Sequence, residues 1–243
     1  MNQYSNAPGR AASFEIVNVF MRGVYGWMSA GLGLTALMAF ATLNVPAISR
    51  LAFAVNPETN MIAPTMLPMI AMFAGLGMVF FLSLKISTMN PSTATTLFLA
   101  FSALNGFALG PILLAYTTAS VVSTFITTAA MFGAMSVYGM VTKKDLTSWG
   151  SLLFMGLIGI IIASIVNMFI GSSAMSFAIS VIGVIIFLGL TAYDTQKLKT
   201  MGENLPVGDE AAIRRGSILG ALTLYLDFYN LFLMLLRLFG ERR

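Results

Sequence analysis

The sequence predicts an all-α membrane protein with seven transmembrane helices, and three observations support this fold class. Of the 243 residues, 58% are hydrophobic and only 9% are charged, with a mean hydropathy of +0.87; a soluble domain carries about a quarter charged residues. Seven apolar runs of roughly 20 residues can be distinguished, each long enough to cross a hydrocarbon core of about 30 Å. These runs fill residues 19–240, so we expect one transmembrane domain there, preceded by a polar cytoplasmic tail over residues 1–18.

The composition restricts the chemistry that the chain can support. It has no Cys and no His, which excludes disulfides, thiolate metal sites and the usual histidine pH switch. The net charge of +4 is modest, and no basic run with interleaved aromatic residues indicates a nucleic-acid partner. The N-terminal tail lacks the basic start and apolar centre of a cleavable signal peptide, so we expect the first span to act as its own insertion signal. Any proton sensing must then depend on carboxylates.

The first three spans are separated by recognisable turn signals. Span 1 contains several glycines that allow close helix approach, and a long loop to Pro64 follows it. The segment Asn90-Pro91-Ser92-Thr93 combines a turn with a helix start signal, which predicts an antiparallel hairpin of spans 2 and 3. The predicted bounds are Val19–Leu43, Thr65–Ser87 and Thr93–Ala115.

The last four spans follow with short connections until the final loop. The segment Gly171-Ser172-Ser173 is the expected turn between spans 5 and 6, and a polar loop over 196–209 is expected before span 7. Span 7 should begin at Asp209 or Glu210. The predicted bounds are Ala119–Val141, Ser148–Phe169, 174–195 and, for the apolar part of span 7, Gly216–Phe239.

The distribution of basic residues predicts the orientation. If the N-terminus is cytoplasmic, nine of the thirteen Lys and Arg residues fall on the inner side, as the positive-inside rule requires. We therefore expect the N-terminus inside and the C-terminus outside, in the inner (plasma) membrane if the protein is bacterial. The nine inner residues are Arg10, Arg22, Lys85, Lys143, Lys144, Lys197, Lys199, Arg214 and Arg215.

Two carboxylates, Asp194 and Asp227, are the only ones of nine that lie inside apolar runs. An ionised carboxylate at mid-depth costs about 2.5 to 3.5 kcal/mol, so Asp227 should be protonated, paired or in contact with water. Each lies on a helical stripe of mostly small or polar residues, which predicts that the stripes pack together and that the two carboxyl groups share a proton. The stripes are Ser176, Ser180, Gly183, Phe187, Thr191 and Asp194, and Gly216, Gly220, Thr223, Asp227, Asn230 and Met234.

Each carboxylate also has a structural alternative. Asp227 could simply be a hydrogen-bonding group in helix packing, and Asp194 could pair with Lys197 one turn on. Against the second alternative, an acid in the last turn of a helix opposes the macrodipole. The membrane depths of Asp194 and Asp227 also differ by about 13 Å if the basic residues that flank spans 6 and 7 lie at the same membrane surface. Either span 7 starts well below the membrane surface, or span 6 ends deeper than its lysines indicate.

Two segments carry a family resemblance. The sequences Gly-Leu-Thr-Ala-Tyr-Asp-Thr-Gln-Lys (Gly189–Lys197) and Leu-Tyr-Leu-Asp-Phe-Tyr-Asn-Leu-Phe (Leu224–Phe232) resemble the signature segments of the Bax inhibitor family of membrane proteins. Further segments resemble family positions in the same order, so that the resemblance covers Arg22 to Phe239. These segments are Trp27–Leu32, Leu76–Ser83 and Asn105–Ile112.

The resemblance implies seven helices with the last at the centre, and a pH-sensitive calcium leak closed by a hydrogen-bonded aspartate pair. By motif, the pair is Asp194 and Asp227, which would also be the candidate metal ligands; calcium would be the transported ion, and no cofactor is expected. Bacterial relatives commonly have a glutamate in span 2 where this chain has Gly75. Because calcium favours several oxygen ligands, this replacement removes a cation ligand and leaves the ion selectivity open.

Further residues are accessory candidates. Lys85 matches the family's basic residue near the end of span 2, or it is simply an inner basic residue. Asn105 could line a pore or could join helices. The remaining accessory candidates lie near the two carboxylates in sequence or on their stripes: Thr191, Tyr193, Thr223 and Asn230.

Three functions follow from these observations. In the favoured hypothesis the protein is a cation leak channel and not an enzyme, and deprotonation of the aspartate pair separates spans 6 and 7. In the second, it is a regulator that binds a membrane protease or a cell-death partner through the tail Met1–Asn18. An intramembrane aspartyl protease is a minor alternative, since two carboxyl groups can activate water, but that family carries Gly-x-Gly-Asp where this chain has Tyr225-Leu226-Asp227. The expected partners are membrane lipid, a cation and, in the second hypothesis, another membrane protein.

Overall fold

The computed structural model describes residues 10–55, 60–206 and 208–243, with side chains from residue 15 onward. Seven of its helices are long and apolar enough to cross a membrane, which confirms the predicted fold class. The elements are α1 (Arg10–Asn44), α2 (Pro46–Ala52), β1 (Phe53–Val55), β2 (Ile62–Pro64), α3 (Leu67–Lys85) with a 3-10 turn (Ile86–Thr88), α4 (Pro91–Leu114), α5 (Thr118–Val141), α6 (Thr147–Ile170), α7 (Ser173–Glu203) and α8 (Glu210–Phe239).

Side-chain caps explain where several helices begin. The Asn90 side chain accepts a hydrogen bond from Ser92 N at the start of α4, as the turn signal predicted, and the Asp209 side chain accepts one from Ala212 N at the start of α8. Each supplies an acceptor to a backbone donor that the first helical turn leaves free. At the predicted turn between α6 and α7, Gly171 adopts a positive φ of 69°, a conformation that glycine adopts without strain.

The last helix lies at the centre of the bundle, as expected. In the most apolar part of α8, 67% of the residues are buried inside the protein, against 11% to 39% in the other six spans. Its largest fully buried side chain is Tyr225, and it packs against α1, α4, α5 and α7. Because α8 is shielded from lipid, polar groups on it are surrounded by protein.

Helix α7 is longer than predicted. The expected polar loop over 196–209 is wrong for residues 196–203, which continue the helix to Glu203. From the start of α7 at Ser173 the chain has no proline before Pro206, and Leu198 and Gly202 are buried on one side of residues 196–203. Gly202 lies against Phe20 of α1, where an added Cβ would come within 2.9 Å of the ring. The extension is therefore an amphipathic helix that packs on protein.

Helix α1 is also longer than predicted, because it begins at Arg10 rather than near Val19. The second half of the predicted polar tail is thus helical, whereas its residues 1–9 lie outside the described residues. The first turns of α1, the last turns of α7 (residues 196–203, which include Gln196) and the first turns of α8 (from Glu210) lie at the same end of the bundle. We refer to these three helix ends as the helical extension.

The loop between spans 1 and 2 is more structured than predicted. It contains the short helix α2 and an antiparallel pair of strands, in which Phe53 lies opposite Pro64 and Val55 opposite Ile62. Thr65 fixes the end of this hairpin, since its backbone N–H donates to Ala52 O and its hydroxyl donates to Leu51 O. The tip of the hairpin, residues 56–59, lies outside the described residues.

Candidate functional site

The structure brings Asp194 of α7 and Asp227 of α8 together. Their carboxyl groups lie within hydrogen-bonding reach of each other. Asp227 is only 5% exposed, and Asp194 is half-buried. The two stripes of small and polar residues face each other as predicted, because Met234 of α8 packs directly against Gly183 of α7.

One oxygen of the pair has no donor. Asp227 Oδ2 is buried and has no hydrogen-bond partner among the described residues. Leaving a buried polar atom unpaired costs about 1 to 3 kcal/mol, and more for a charged group. Two ionised carboxylates can only accept hydrogen bonds, whereas one proton turns one of them into a donor. The arrangement can therefore hold a proton between the two side chains.

The position of Asp194 within α7 differs from the prediction. It lies nine residues before the end of the helix at Glu203, about 13 Å from that end at helical rise. The argument that Asp194 opposes the macrodipole in the last turn is therefore wrong, since the dipole acts mainly within the terminal turn.

The packing of α7 on α8 explains the apparent difference in depth. Leu198 contacts Gly220 and Met201 contacts Gly216, where added Cβ atoms would lie 2.9 Å and 3.2 Å from the two side chains. This antiparallel register places the beginning of α8 beyond the end of α7. This register brings the two carboxyl groups to the same level of the bundle.

Lys197 is turned toward an aromatic ring. Its Nζ lies 5.8 Å from the centroid of the Tyr193 ring, a cation–π distance. Tyr193 itself packs on α6, because a Cβ on Gly150 would overlap its ring. The structure thus places Tyr193, an accessory candidate, in the interface between α6 and α7.

Three other accessory candidates are satisfied by their own helices. The Thr191 hydroxyl donates to Phe187 O at 2.7 Å, the Thr223 hydroxyl to Leu219 O at 3.1 Å, and Asn230 Nδ2 to Leu226 O at 2.8 Å. These groups shape the surroundings of the pair without donating to it. Lys85 is exposed at the end of α3.

A second polar cluster, which sequence reasoning missed, lies on another side of α8. The buried Tyr225 hydroxyl is 2.7 Å from Thr35 Oγ1, which also lies 2.9 Å from Ser102 O. Asn105 is close to the Tyr225 hydroxyl, and its Oδ1 would lie 3.7 Å from a Cβ on Gly75. Tyr225 was visible in the signature segment, but nothing in the sequence connects it with Thr35, 190 residues earlier.

A chain of hydroxyl groups crosses three helices beside the pair, and it was also missed. Tyr25 Oη of α1 lies 2.9 Å from Ser136 Oγ of α5, which lies 3.1 Å from Thr195 Oγ1 of α7. Thr195 directly follows Asp194, but single serine and threonine residues in apolar spans are too common to indicate such a chain.

The loop between α5 and α6 is fixed to the helical extension. Gln196 accepts a hydrogen bond from Leu146 N and donates one to Lys144 O. Asp145, outside the membrane-spanning segments, accepts a hydrogen bond from Thr147 N at 2.9 Å. Hydrogen bonds from the Thr147 side chain and backbone hold the pKa of Asp145 below its usual value. This carboxylate is therefore ionised near neutral pH.

The carboxyl pair offers few metal ligands. In the stretches 10–55, 60–206 and 208–243, no group of three or more Asp or Glu residues is placed to hold a metal ion. Calcium takes six to eight oxygen ligands. Asp194 and Asp227 could therefore supply only part of a calcium coordination sphere.

Seven apolar helices around a buried carboxyl pair define a multi-pass integral membrane protein with ionisable groups in its interior. The family described as "Inhibitor of apoptosis-promoting Bax1" matches residues 17–243. The chain belongs to this family, the Bax inhibitor family, as the signature segments indicated.

Bacterial proteins are similar over nearly the whole chain. The inner membrane protein YbhL of Escherichia coli K12 is 51% identical over 227 residues, which cover 93% of each chain. An uncharacterized protein of Caulobacter vibrioides is 44% identical, over 92% of this chain and 89% of its own. An uncharacterized membrane protein of Streptococcus pyogenes, M6_Spy0327, is 38% identical over 93% of each. The apolar helices and the inner membrane relative place this chain in the bacterial inner membrane, as expected.

Proposed function

We propose that the protein is a pH-sensitive cation leak channel, with calcium as the expected ion, gated by a proton shared between Asp194 and Asp227. One observation carries this proposal: the two carboxyl groups meet between α7 and the central helix α8, and Asp227 Oδ2 is buried with no donor among the residues that the structure describes. An intramembrane carboxylate pair of this kind marks a functional site more often than a structural one.

The proposed gate works through repulsion. A shared proton holds the two side chains together at low pH. When the proton leaves at higher pH, two unit charges about 4 Å apart repel by about 4 kcal/mol at an effective dielectric constant of 20. This energy is large enough to shift a two-state equilibrium by more than a hundredfold. We propose that α7 and α8 separate at the end that carries the helical extension.

The surroundings of the pair support a closed state. Asp227 is buried between α7 and α8 and only 5% exposed. Given the distribution of Lys and Arg, we propose that the helical extension faces the cytoplasm and the C-terminus faces outward. The gate would then open on the cytoplasmic side.

Ion flux through liposomes tests the proposal. Purified protein is reconstituted, and calcium and sodium flux are measured side by side between pH 6 and pH 8. We expect the flux to rise with pH, and Asp194→Asn and Asp227→Asn to abolish this dependence because the amide cannot ionise. Asp145→Asn is the matched control, since that carboxylate lies outside the spans. An unchanged pH response in both pair variants would contradict the gate.

The helical extension supports a second proposal, that the protein regulates a membrane protease or a cell-death partner. The extended ends of α1, α7 and α8 form a surface at the end of the bundle where α1 begins, and Glu203 and Glu210 are exposed on it. Deletion of residues 1–9 should then abolish the effect of the protein on that protease or cell-death partner in cells and leave ion flux intact. Loss of flux in the deletion variant would contradict a separate docking role.

We also propose that the protein is not an enzyme. An aspartyl protease needs water and a peptide at both carboxyl groups, and burial of Asp227 supports the absence of such access. Incubation of the purified protein with a transmembrane peptide should yield no cleavage. Cleavage that Asp227→Asn abolishes would overturn this view.

A further inference from the structure

A lateral groove runs between α1 and α5 over the surface of α8. It consists of two cavities of about 740 Å³ and 490 Å³. Both cavities are lined by Leu32, Ala36, Phe125 and Phe228, so they are continuous. Phe228 forms the floor, with its ring centroid 5.4 Å from that of Phe125. The groove follows nearly the whole length of α5, and exposed apolar side chains such as Val122 and Val137 line it, so we expect it to face the hydrocarbon region.

Two glycines show that the groove is open. Added Cβ atoms on Gly33 of α1 and Gly133 of α5 would meet no atom within 4 Å. Both residues line the larger cavity. An apolar space in a bilayer is filled by some apolar group, because an empty one forfeits dispersion contacts on every wall.

The volume of the groove indicates whether a transmembrane helix or a lipid acyl chain occupies it. A transmembrane helix is about 10 Å wide and crosses about 30 Å of hydrocarbon, which corresponds to roughly 2,400 Å³. The two cavities together, about 740 Å³ and 490 Å³, hold only about half of that volume. A lipid chain is only one methylene wide and fits between the two helices.

The end of the groove near the C-terminus is polar and cationic. Arg243, Asn44 and Thr118 line the smaller cavity there, and an Arg243 guanidinium nitrogen donates to Thr118 Oγ1 at 3.2 Å. Arg242 adds a second guanidinium, 6.0 Å from the centroid of the Tyr116 ring, which lines the same cavity.

Backbone contacts hold this cationic end in place. Arg243 N donates to Ala115 O, and Thr117 N donates to Glu241 O. The guanidinium groups are therefore carried by a segment that is paired to the start of α5. The N-terminus of α5 lies at the same end, where its dipole favours an anion.

From this combination we infer that the groove between α1 and α5 is a binding site for an anionic phospholipid. The phosphate group binds to Arg243 with Asn44 and Thr118, and guanidinium groups are well suited to pair with phosphate oxygens. One acyl chain lies along the groove and passes Ala36 toward Gly33. Gly33 is eleven residues from Asn44, about 16 Å at helical rise, which matches the half-thickness of the hydrocarbon core.

Native mass spectrometry of the full-length protein in detergent tests this inference. The probes are palmitoyl-oleoyl phosphatidylglycerol and phosphatidylcholine, which differ only in the headgroup. For the first bound lipid, we expect phosphatidylglycerol to bind at least fivefold more tightly than phosphatidylcholine. The variant Gly33→Phe, which fills the groove, should weaken the binding of both lipids at least fivefold. Arg243→Gln should remove only the preference for phosphatidylglycerol.

Two control variants separate the groove from the general surface. Gly77 of α3 is exposed, a Cβ there also meets no atom within 4 Å, and it lines neither cavity. Gly77→Phe should leave lipid binding unchanged. Arg237 is exposed in the last turn of α8, outside both cavities, and Arg237→Gln should keep the headgroup preference.

Three results would overturn the inference. The first is equal binding of both lipids by the wild-type protein. The second is lipid binding that Gly33→Phe leaves unchanged. The third is a dimer that Gly33→Phe dissociates, which would mean that a second copy of the chain fills the groove. None of these measurements involves ion flux, so failure of the proposed gate would leave the inference intact.

Discussion

Asp194 and Asp227 meet although one lies nine residues before the end of α7 and the other seventeen residues after the start of α8. The contact is possible because α8 begins beyond the end of α7, in the register set by Leu198 on Gly220 and Met201 on Gly216. The carboxyl pair is thus held by long, close helix packing. A small separation of the two helices at this level would suffice to break the contact between the carboxyl groups.

Replacement of Asp145 should leave the pH response intact. Hydrogen bonds from Thr147 hold the pKa of Asp145 below its usual value, so its contribution to stability is present above its unfolded pKa and lost only as pH falls through the lower folded value. Between pH 6 and pH 8 the group stays ionised. Thermal unfolding of Asp145→Asn should therefore show the same pH dependence as the wild type in that range. A pH dependence that differs there would contradict this assignment.

Removal of the Tyr225 hydroxyl should destabilise the protein slightly. Tyr225→Phe loses the 2.7 Å hydrogen bond to Thr35, and such bonds inside membrane proteins contribute about 0.6 kcal/mol on average. We expect a lower melting temperature by roughly 1 to 3 °C in detergent. Tyr229, stacked on Tyr225 with ring centroids 5.9 Å apart, provides the control. Its hydroxyl bonds to no described residue, so Tyr229→Phe should change the melting temperature less.

A methyl group at Gly106 should be poorly tolerated. Its Cβ would overlap the backbone oxygen of Thr35 and the Cβ of Met38, so α1 and α4 would have to move apart. Overpacking of this kind typically costs about 1 to 3 kcal/mol. Gly77→Ala is the matched control, because nothing lies within 4 Å of its Cβ. Equal thermal stability of Gly106→Ala and Gly77→Ala would contradict the close approach of α1 and α4.

An acid at Gly75 should shift the ion preference toward calcium. A Cβ is accommodated there, because it would lie at an ordinary contact distance of 3.7 Å from Asn105 Oδ1 and from the Phe101 ring. Gly75→Glu adds a carboxylate ligand, which calcium prefers. We expect the ratio of calcium to sodium flux to rise, while Gly75→Gln, of the same size, leaves it unchanged. An equal rise in both variants would point to packing rather than charge.

The transmembrane helices were predictable because each is a long apolar run between clear turn signals. Asn90 and Gly171 marked two helix ends correctly, and the stripes on spans 6 and 7 predicted that Asp194 faces Asp227. The hydrophobic periodicity carries this information directly.

The helical extension and the polar clusters were less predictable. Residues 196–203 are polar enough to resemble a loop, and only the burial of Leu198 and Gly202 against other helices reveals why they stay helical. Tertiary packing overrode composition there. The pairing of Tyr225 with Thr35 depends on how α1 packs on α8, which no local pattern encodes.

The most direct test of the gate is the distance between α7 and α8 as a function of pH. The chain has no Cys, so Thr200→Cys and Ala211→Cys give two unique, exposed sites for spin labels. Pulsed electron resonance in liposomes should show a longer distance at pH 8 than at pH 6, and no pH effect when Asp227→Asn is added. A distance that stays constant in the wild-type background, or that changes equally with Asp227→Asn, would contradict the shared-proton gate.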